Sequence, residues 1–292
     1  MKTLLIGAGG QLAREIERAW PEHGPDSELV PIAHQQLEIR DARAVRELVS
    51  AARPQCIINT AAFHRVDLCE DEPENAFAVN EGGVRNLAEA AREHGALFVH
   101  FSTDYVFAGD RRVPYVESDE AWPISVYGKS RLAGERAVAA AAAGGKCLIL
   151  RTCGLYGVAG RQTKLGNFPE TMLKAAAQGR ALRVVDDQIC TPTSARELAV
   201  KSLALMKSGA TGLFHMTNTG QCSWHEFAAE IFRRAGIKAD LSPCTAVEYA
   251  AKAPRPAYSV LDNRALRRAG IPEFRPWQEA LAEYMRARSG NT

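Results

Sequence analysis

The sequence predicts an α/β fold in which a parallel sheet is wound on both faces by helices, with a smaller C-terminal lobe. Three observations carry this. Short apolar runs alternate with helix-length amphipathic stretches over roughly the first two-thirds of the chain, the pattern of strand–helix–strand units. A glycine cluster separates the first apolar run from the first amphipathic stretch. The 292 residues, 46% of them apolar, are enough to bury a large sheet and still furnish a second lobe.

Taken in order, the strand candidates are residues 2–6, 29–33, 56–60, 97–102 and 147–151, and the helix candidates between them are 11–20, 42–52, 74–94 and 127–143. The last helix is alanine-rich and runs into Gly144-Gly145, a strong stop signal. Right-handed crossovers place successive strands side by side in one open sheet. After Arg151 the periodicity loosens. Residues 154–168 read as a glycine-rich basic loop, 171–178 and 194–207 as helices, and 186–192 as a connector. Ser223-Trp-His-Glu226 is a capping box that starts a helix reaching about residue 235. The expected division is a dinucleotide-binding domain over 1–153, joined by about 185–216, and a mainly substrate-binding lobe over 154–292.

Composition excludes several classes. Thirty-six basic and 34 acidic residues are interspersed and leave a formal charge of +2, which gives no basic face for nucleic acid or a membrane surface. No run approaches the ~20 apolar residues of a membrane helix, and the N-terminal apolar stretch is too short for a signal peptide. A cytoplasmic, soluble protein is expected. The seven cysteines are scattered without a Cys-x-x-Cys pair and read as reduced thiols; with no His-Glu-x-x-His either, structural zinc is not expected.

Chemistry enters at Gly7-Ala-Gly-Gly10-Gln-Leu-Ala13, which follows a strand and opens a helix. A dinucleotide pyrophosphate must approach backbone N–H groups at a helix N-terminus, so the turn needs positions without a Cβ. Gly7 and Gly10 fit those positions, Gln11 and Leu12 supply the first helical turn, and Ala13 permits close helix–strand packing. This makes the sheet a Rossmann-type, doubly wound one. An acidic residue about 20 positions beyond the glycines usually receives the ribose of NAD. Here Ile32-Ala-His-Gln-Gln-Leu37 offers none; His34 would not repel a 2′-phosphate and Arg40 is within reach of one. The expected cofactor is NADPH or NADH, with NADPH used at least as well.

Three further segments fall at predicted strand ends or a helix start: Asn59-Thr-Ala-Ala-Phe-His64, Phe101-Ser-Thr-Asp-Tyr-Val-Phe107 and Tyr127-Gly-Lys-Ser-Arg-Leu-Ala-Gly-Glu135. Together with Val66-Asp67, Val79-Asn80, Arg151-Thr152, Leu155-Tyr-Gly157, Asp187-Gln188, Pro192-Thr193, Ser223-Trp224 and Arg255-Pro256, they make nearly the whole chain resemble the dTDP-4-dehydrorhamnose reductase family of extended short-chain dehydrogenase/reductases. The resemblance implies NAD(P)H-dependent reduction of the 4-keto group of a nucleotide-linked 6-deoxy sugar, with dTDP-4-dehydrorhamnose going to dTDP-rhamnose in carbohydrate biosynthesis as the leading case. It implies catalytic roles for Tyr127, Thr103 and residue 131. A phenol one helical turn from a cation is shifted toward its ionised form, while Thr103 polarises the carbonyl oxygen.

This chain departs from the family pattern at two places. The usual Tyr-x-x-x-Lys is Tyr127-x-x-x-Arg131, and Lys129 cannot substitute because two residues turn a helix by about 200°. Arg131 retains charge and donors, but does not deprotonate; it is expected to take the lysine's place and to hold the nicotinamide ribose. The aromatic residue often found after Arg-Thr-Ser is replaced by Gly154 in Arg151-Thr-Cys-Gly154, and His64-Arg65 replaces a smaller pair, so another 4-keto-6-deoxy nucleotide sugar competes as substrate.

The resemblance also places Ala61, Ala62, Phe63 and His64 at the cofactor and Thr103, Asp104, Tyr105 and Arg255 at the substrate. Asp104 and Tyr105 read equally as loop cap and packing residue. Asp41 could meet the adenine amino group or simply cap the helix after it, and Asn80 is expected to fix backbone near the cofactor. Arg161, Lys164 and Arg255 are cation candidates for the substrate diphosphate. Glu15 and Glu197 stand where the family can hold Mg²⁺ between subunits; no metal is expected to be essential, and a homodimer is compatible with this. Trp224 reads as a core residue. Two other functions remain open on the same scaffold. One is a nucleotide-sugar epimerase or dehydratase, although Thr103-Asp-Tyr105 lacks the Asp-Glu pair of dehydratases. The other is a non-catalytic, cofactor-binding regulatory subunit.

Overall fold

The computed structural model describes residues 2–142, 146–162 and 166–290. Five strands and the helices between them follow the expected alternation: β1 (Lys2–Ala8), α1 (Gln11–His23), β2 (Glu28–Ala33), α2 (Ala42–Ala52), β3 (Cys56–Asn59), α3 (Val66–Asp71), α4 (Pro73–Phe77), α5 (Val84–Glu93), β4 (Leu97–Thr103), α6 (Val126–Ala141) and β5 (Cys147–Thr152). Gly144-Gly145, read as the stop of α6, lie outside the described residues.

Downstream come β6 (Leu155–Tyr156), α7 (Phe168–Ala177), β7 (Leu182–Val185), β8 (Ile189–Cys190), β9 (Thr193–Ser194), α8 (Ala195–Lys207) and β10 (Gly212–His215). They are followed by β11 (Cys222–Ser223), α9 (Trp224–Ala235), β12 (Leu241–Cys244), α10 (Ala246–Tyr249), α11 (Arg264–Arg268) and α12 (Trp277–Arg288). β10 returns to the main sheet, whose order is β10-β5-β4-β3-β1-β2 with every pairing parallel. The remaining short strands pair off as β6 with β9, β7 with β12 and β8 with β11. This is the doubly wound α/β sheet with a smaller C-terminal lobe that the alternation predicts.

Both faces of the sheet are buried, as a parallel sheet requires. Successive residues of one strand point to opposite faces. Leu5 packs with Ile16 of α1 and Leu198 of α8, whereas Leu4 and Ile6 pack with Val45 of α2, Leu87 of α5 and Val138 of α6. A third cluster, built around Tyr156, Phe227, Trp277 and Leu281, holds the C-terminal lobe together.

One predicted helix differs. Residues 74–94 are not a continuous α-helix: a π-helical segment, Ala78–Gly83, separates α4 from α5. The register is set by tertiary contacts that periodicity does not show. Gly134 of α6 lies so close that a Cβ there would meet the Asn80 carbonyl oxygen at 2.2 Å, and one on Gly83 would meet Ile39 Cγ1 at 2.5 Å. Wide turns of this kind re-aim a side chain. Here Asn80 is turned to accept from Phe63 N–H (2.8 Å) and to donate to the Ser130 hydroxyl (3.0 Å).

Candidate functional site

The site lies at the carboxyl ends of β1, β3 and β4, the edge where open α/β sheets receive ligands. Gly7 and Gly9 have φ of +89° and +88°, backbone that favours glycine. A Cβ on Gly7 would fall 2.7 Å from Thr60 Oγ1 and 2.8 Å from Ala61 N, so the turn closes only without one. Gly10 leads into α1 with φ −69° and accepts from Arg14 N–H (3.1 Å), the first bond of the helix. The amides of Gln11 and Leu12 therefore precede the helical ladder and remain available to an anion. Ala13 is fully buried against the sheet. The Gln11 side chain is turned away from the turn, toward the second lobe, donating to Leu155 O (3.2 Å) and accepting from Asn167 (3.0 Å).

Ala61, Ala62 and Phe63 are half-buried after β3, with His64 exposed beyond them. Asn59 and Asn80 hold this loop by accepting from Ala61 N–H and Phe63 N–H. The Asp41 carboxylate accepts from Arg43 and Ala44 N–H (2.9 and 3.0 Å), so of its two readings the cap of α2 is the contact present. At the end of β2 His34 is exposed and Arg40 is held by Glu38 (2.7 Å) and Asn75 (3.1 Å); the Arg40 guanidinium draws the Glu38 carboxyl down to about 2.

The catalytic candidates converge because β4 and the start of α6 are packed backbone to backbone. A Cβ on Gly128 would meet the Tyr105 carbonyl oxygen at 2.2 Å, and Ser125 caps the helix by accepting from Gly128 N–H (3.1 Å). This brings Tyr127 and Thr103, the last residue of β4, to the lining of one cavity. Burial raises the Tyr127 phenol above the ordinary tyrosine range; the Arg131 charge and the Thr103 hydroxyl act against that rise. Lys129 is exposed, whereas Arg131 is buried one turn beyond Tyr127. Arg131 Nη2 donates to the Phe101 carbonyl, and its Nε and Nη1 are buried with no partner among the described residues.

Lower on α6, Glu135 accepts from Arg151 at 2.9 and 2.6 Å and from the Ser102 hydroxyl at 2.5 Å. That buried cluster ties α6 to β4 and β5, and fixes the turn that carries Tyr127.

A cavity of about 200 Å³ opens beside this pair. Val66, Thr103, Asp104, Tyr105 and Tyr127 line it together with Cys153, Gly154, Gln188, Ile189, Cys190, Trp224, Pro256 and Ser259. Asp104 accepts from Thr103 Oγ1 (3.1 Å), its Oδ2 is buried with no hydrogen-bond partner among the described residues, and burial raises its carboxyl. Tyr105 stands edge-on to Tyr127, ring centroids 5.7 Å apart. Trp224, expected in the core, packs half-buried against the core cluster of the C-terminal lobe and also lines this cavity. Of the diphosphate candidates, Arg255 lies near the cavity but is paired with Asp67 at 2.9 and 3.2 Å. Arg161 is turned away, toward Glu170 (3.7 Å) and the Arg288 carbonyl (3.0 Å), so it is not brought to the site; Lys164 lies outside the described residues.

Of this lining, Gln188, Gly154, Trp224 and Pro256 stand in segments the sequence singles out, whereas Ile189, Cys190 and Ser259 carry no signal because they come from a two-residue strand and a connector with no periodic pattern. The two glutamates considered for a metal are engaged otherwise. Glu15 accepts from Ala159 N–H (3.3 Å), and Glu197 from Asn218 (2.9 Å) and Arg275 N–H (3.0 Å). Among the described residues no three His, Cys, Asp or Glu side chains are grouped to hold an ion. No described helix is long and apolar enough to cross a membrane.

The glycine turn, the open amides of α1 and the unpartnered Arg131 donors fit a dinucleotide: a close-approaching pyrophosphate at one end and ribose hydroxyls at the other. Comparison with known proteins points the same way. The family model described as the RmlD substrate binding domain matches residues 1–289. The spore coat polysaccharide biosynthesis protein SpsK of Bacillus subtilis is 41% identical, over 99% of this chain and 98% of its own. A dTDP-4-dehydrorhamnose reductase from Clostridium acetobutylicum superposes with a TM-score of 0.93 at 40% identity, covering 99% of this chain and all of that one. A second, from Bacillus anthracis and solved in complex with NADP, has a TM-score of 0.90 at 36% identity over 97% and 98% of the two chains.

Proposed function

Because the chain belongs to the RmlD, or dTDP-4-dehydrorhamnose reductase, family of extended short-chain reductases, we propose that it reduces the 4-keto group of a dTDP-linked 6-deoxy sugar, with dTDP-4-dehydrorhamnose as substrate and dTDP-rhamnose as product. The observation that carries this is that Thr103 and Tyr127 line one cavity, with the Arg131 cation buried one helical turn beyond Tyr127.

The glycine turn and the loop after β3 would hold NAD(P)H, which would supply a hydride to the carbonyl carbon. The protein supplies the rest. Thr103 and Tyr127 hydrogen-bond the carbonyl oxygen and so stabilise the negative charge that grows there. Tyr127, kept protonated by its burial, donates the proton that completes the hydroxyl. Arg131 then faces the phenolate left behind and the ribose hydroxyls that its free donors can reach. Ala61, Ala62 and Phe63 leave room on that side. Asp104, with one oxygen unpartnered, is placed to take a sugar hydroxyl. Arg255 can reach the diphosphate by exchanging its Asp67 partner.

NADPH is the cofactor used at least as well as NADH, because the end of β2 presents exposed His34 and no carboxylate until Glu38, whose charge Arg40 already balances. The test is turnover with a panel of 4-keto-6-deoxy nucleotide sugars and both cofactors, followed by the loss of reduced-nicotinamide absorbance. dTDP-4-dehydrorhamnose with NADPH is expected to give the highest kcat/KM. No turnover with any sugar would overturn the function, and a strong preference for NADH would overturn the cofactor assignment.

A further inference from the structure

Across the cavity from the reacting pair stands an aromatic ring that the chemistry above does not use. Trp224 opens α9 and packs on Phe168, with ring centroids 4.8 Å apart, and on Phe227 at 6.4 Å; these two contacts fix its plane. The far edge of its indole reaches Gly154. A Cβ at Gly154 would lie 3.4 Å from Trp224 Cη2 and 3.3 Å from Pro192 Cα, and the φ of +53° there disfavours any side chain. The edge of the indole thus lies beside Gly154, where a Cβ would only touch it. Both residues line the same cavity as Thr103 and Tyr127.

The lining is mixed: Thr103, Asp104, Tyr127, Gln188 and Ser259 bring polar groups, and Trp224, Ile189, Pro256 and Gly154 bring apolar surface. A sugar whose carbonyl is hydrogen-bonded by Thr103 and Tyr127 meets that apolar surface within the same cavity. A hydroxyl buried there would lose its water partners without replacement, whereas a methyl group would not.

We propose that Trp224, which lines the cavity together with Thr103 and Tyr127, is a specificity-determining residue whose ring packs on the deoxygenated edge of the sugar. This rests on the sugar-reductase function proposed above. It assigns Trp224 to the sugar alone, and neither to the nucleoside diphosphate nor to the cofactor.

The experiment compares the wild type with Trp224→Ala, Trp224→Phe and Gly154→Ala. It measures kcat/KM for dTDP-4-dehydrorhamnose, Kd for dTDP-rhamnose, for dTDP and for NADPH, and Tm. Trp224→Ala is expected to lower kcat/KM by about tenfold or more, chiefly through KM, and to weaken dTDP-rhamnose to a similar degree. Binding of dTDP and of NADPH should be unchanged. Trp224→Phe, which keeps a ring against Phe168, should recover part of the loss, and Gly154→Ala should reproduce it with the indole intact. Unaltered kcat/KM and dTDP-rhamnose affinity in Trp224→Ala would overturn the assignment. So would a parallel loss of dTDP, NADPH and thermal stability, which would make the ring structural only. A wild type that binds dTDP-rhamnose through Trp224 but reduces none of the keto sugars would remove the reductase function and leave the sugar contact standing. A wild type that does not bind dTDP-rhamnose would overturn both.

Discussion

Two arginines beside helix α6 are equally buried, each about 4% exposed, and the protein treats them in opposite ways. Arg151, from β5, gives two donors to the Glu135 carboxylate and lies 5.0 Å from the centre of the Phe107 ring; a single nitrogen, Nη1, lacks a partner. Arg131, on α6 itself, has one bond to a carbonyl, two unpartnered nitrogens and no carboxylate within ion-pair distance among the described residues. A buried charge is tolerable when it is neutralised and hydrogen-bonded, and costly when it is not. Arg151 is therefore explained by the folded chain alone. Arg131 is not; the function proposed above would give its donors the cofactor ribose hydroxyls as partners. An incompletely satisfied buried cation points to function more than a satisfied one does.

The largest effect that could break this contrast concerns the residue Arg131 serves. Tyr127→Phe should lower kcat by about 10²- to 10⁴-fold, the usual worth of a positioned general acid, with NADPH affinity preserved. Unchanged turnover would remove Tyr127 as the proton donor and Arg131's role with it. On the architectural side, Glu135→Ala leaves Arg151 unpaired and should cost about 3–5 kcal/mol of folding stability, read from denaturant midpoints. A loss no greater than that of an exposed ion pair would show that the buried cluster does not fasten α6.

The pH profile gives a smaller effect. Burial raises the Tyr127 phenol, so the proton-donating form persists across the neutral range and is lost only as pH rises through that elevated value. The rate of reduction should accordingly be flat with respect to this group near neutrality, with a falling limb only at strongly alkaline pH. A falling limb at neutral pH would assign the proton to another group. The smallest effect is expected from Arg131→Lys. It keeps the cation and restores a group able to deprotonate, so kcat/KM should be retained or raised. A large loss would mean that the guanidinium's second and third donors are used in catalysis.

Much of the fold was legible because its signals are local and repeat along the chain. Five of the six sheet strands, the glycine turn and the start of α6 announce themselves through alternation, missing side chains and capping residues, each decided within a few positions. β10, four residues long, and the π-helical break at Ala78–Gly83 do not; their conformations are set by the neighbouring strand and by the approach of Gly134.

The site divides in the same way. Spacing alone put Tyr127 and residue 131 on one helix face and Lys129 on another, because 3.6 residues per turn is a property of the backbone. How each cation is engaged was settled only by packing. Arg161 faces Glu170 and Arg255 pairs with Asp67, while two nitrogens of Arg131 have no partner among the described residues. The sequence by itself determined a Rossmann-type sheet, its phosphate-approach turn and a tyrosine–arginine pair one turn apart. Only the tertiary structure decided that Trp224, packed against the core of the C-terminal lobe, also lines the cavity beside Gly154, 70 positions away and separated from it by six strands and two helices. Long-range approach of this kind follows from what a residue is packed against, which no local pattern encodes.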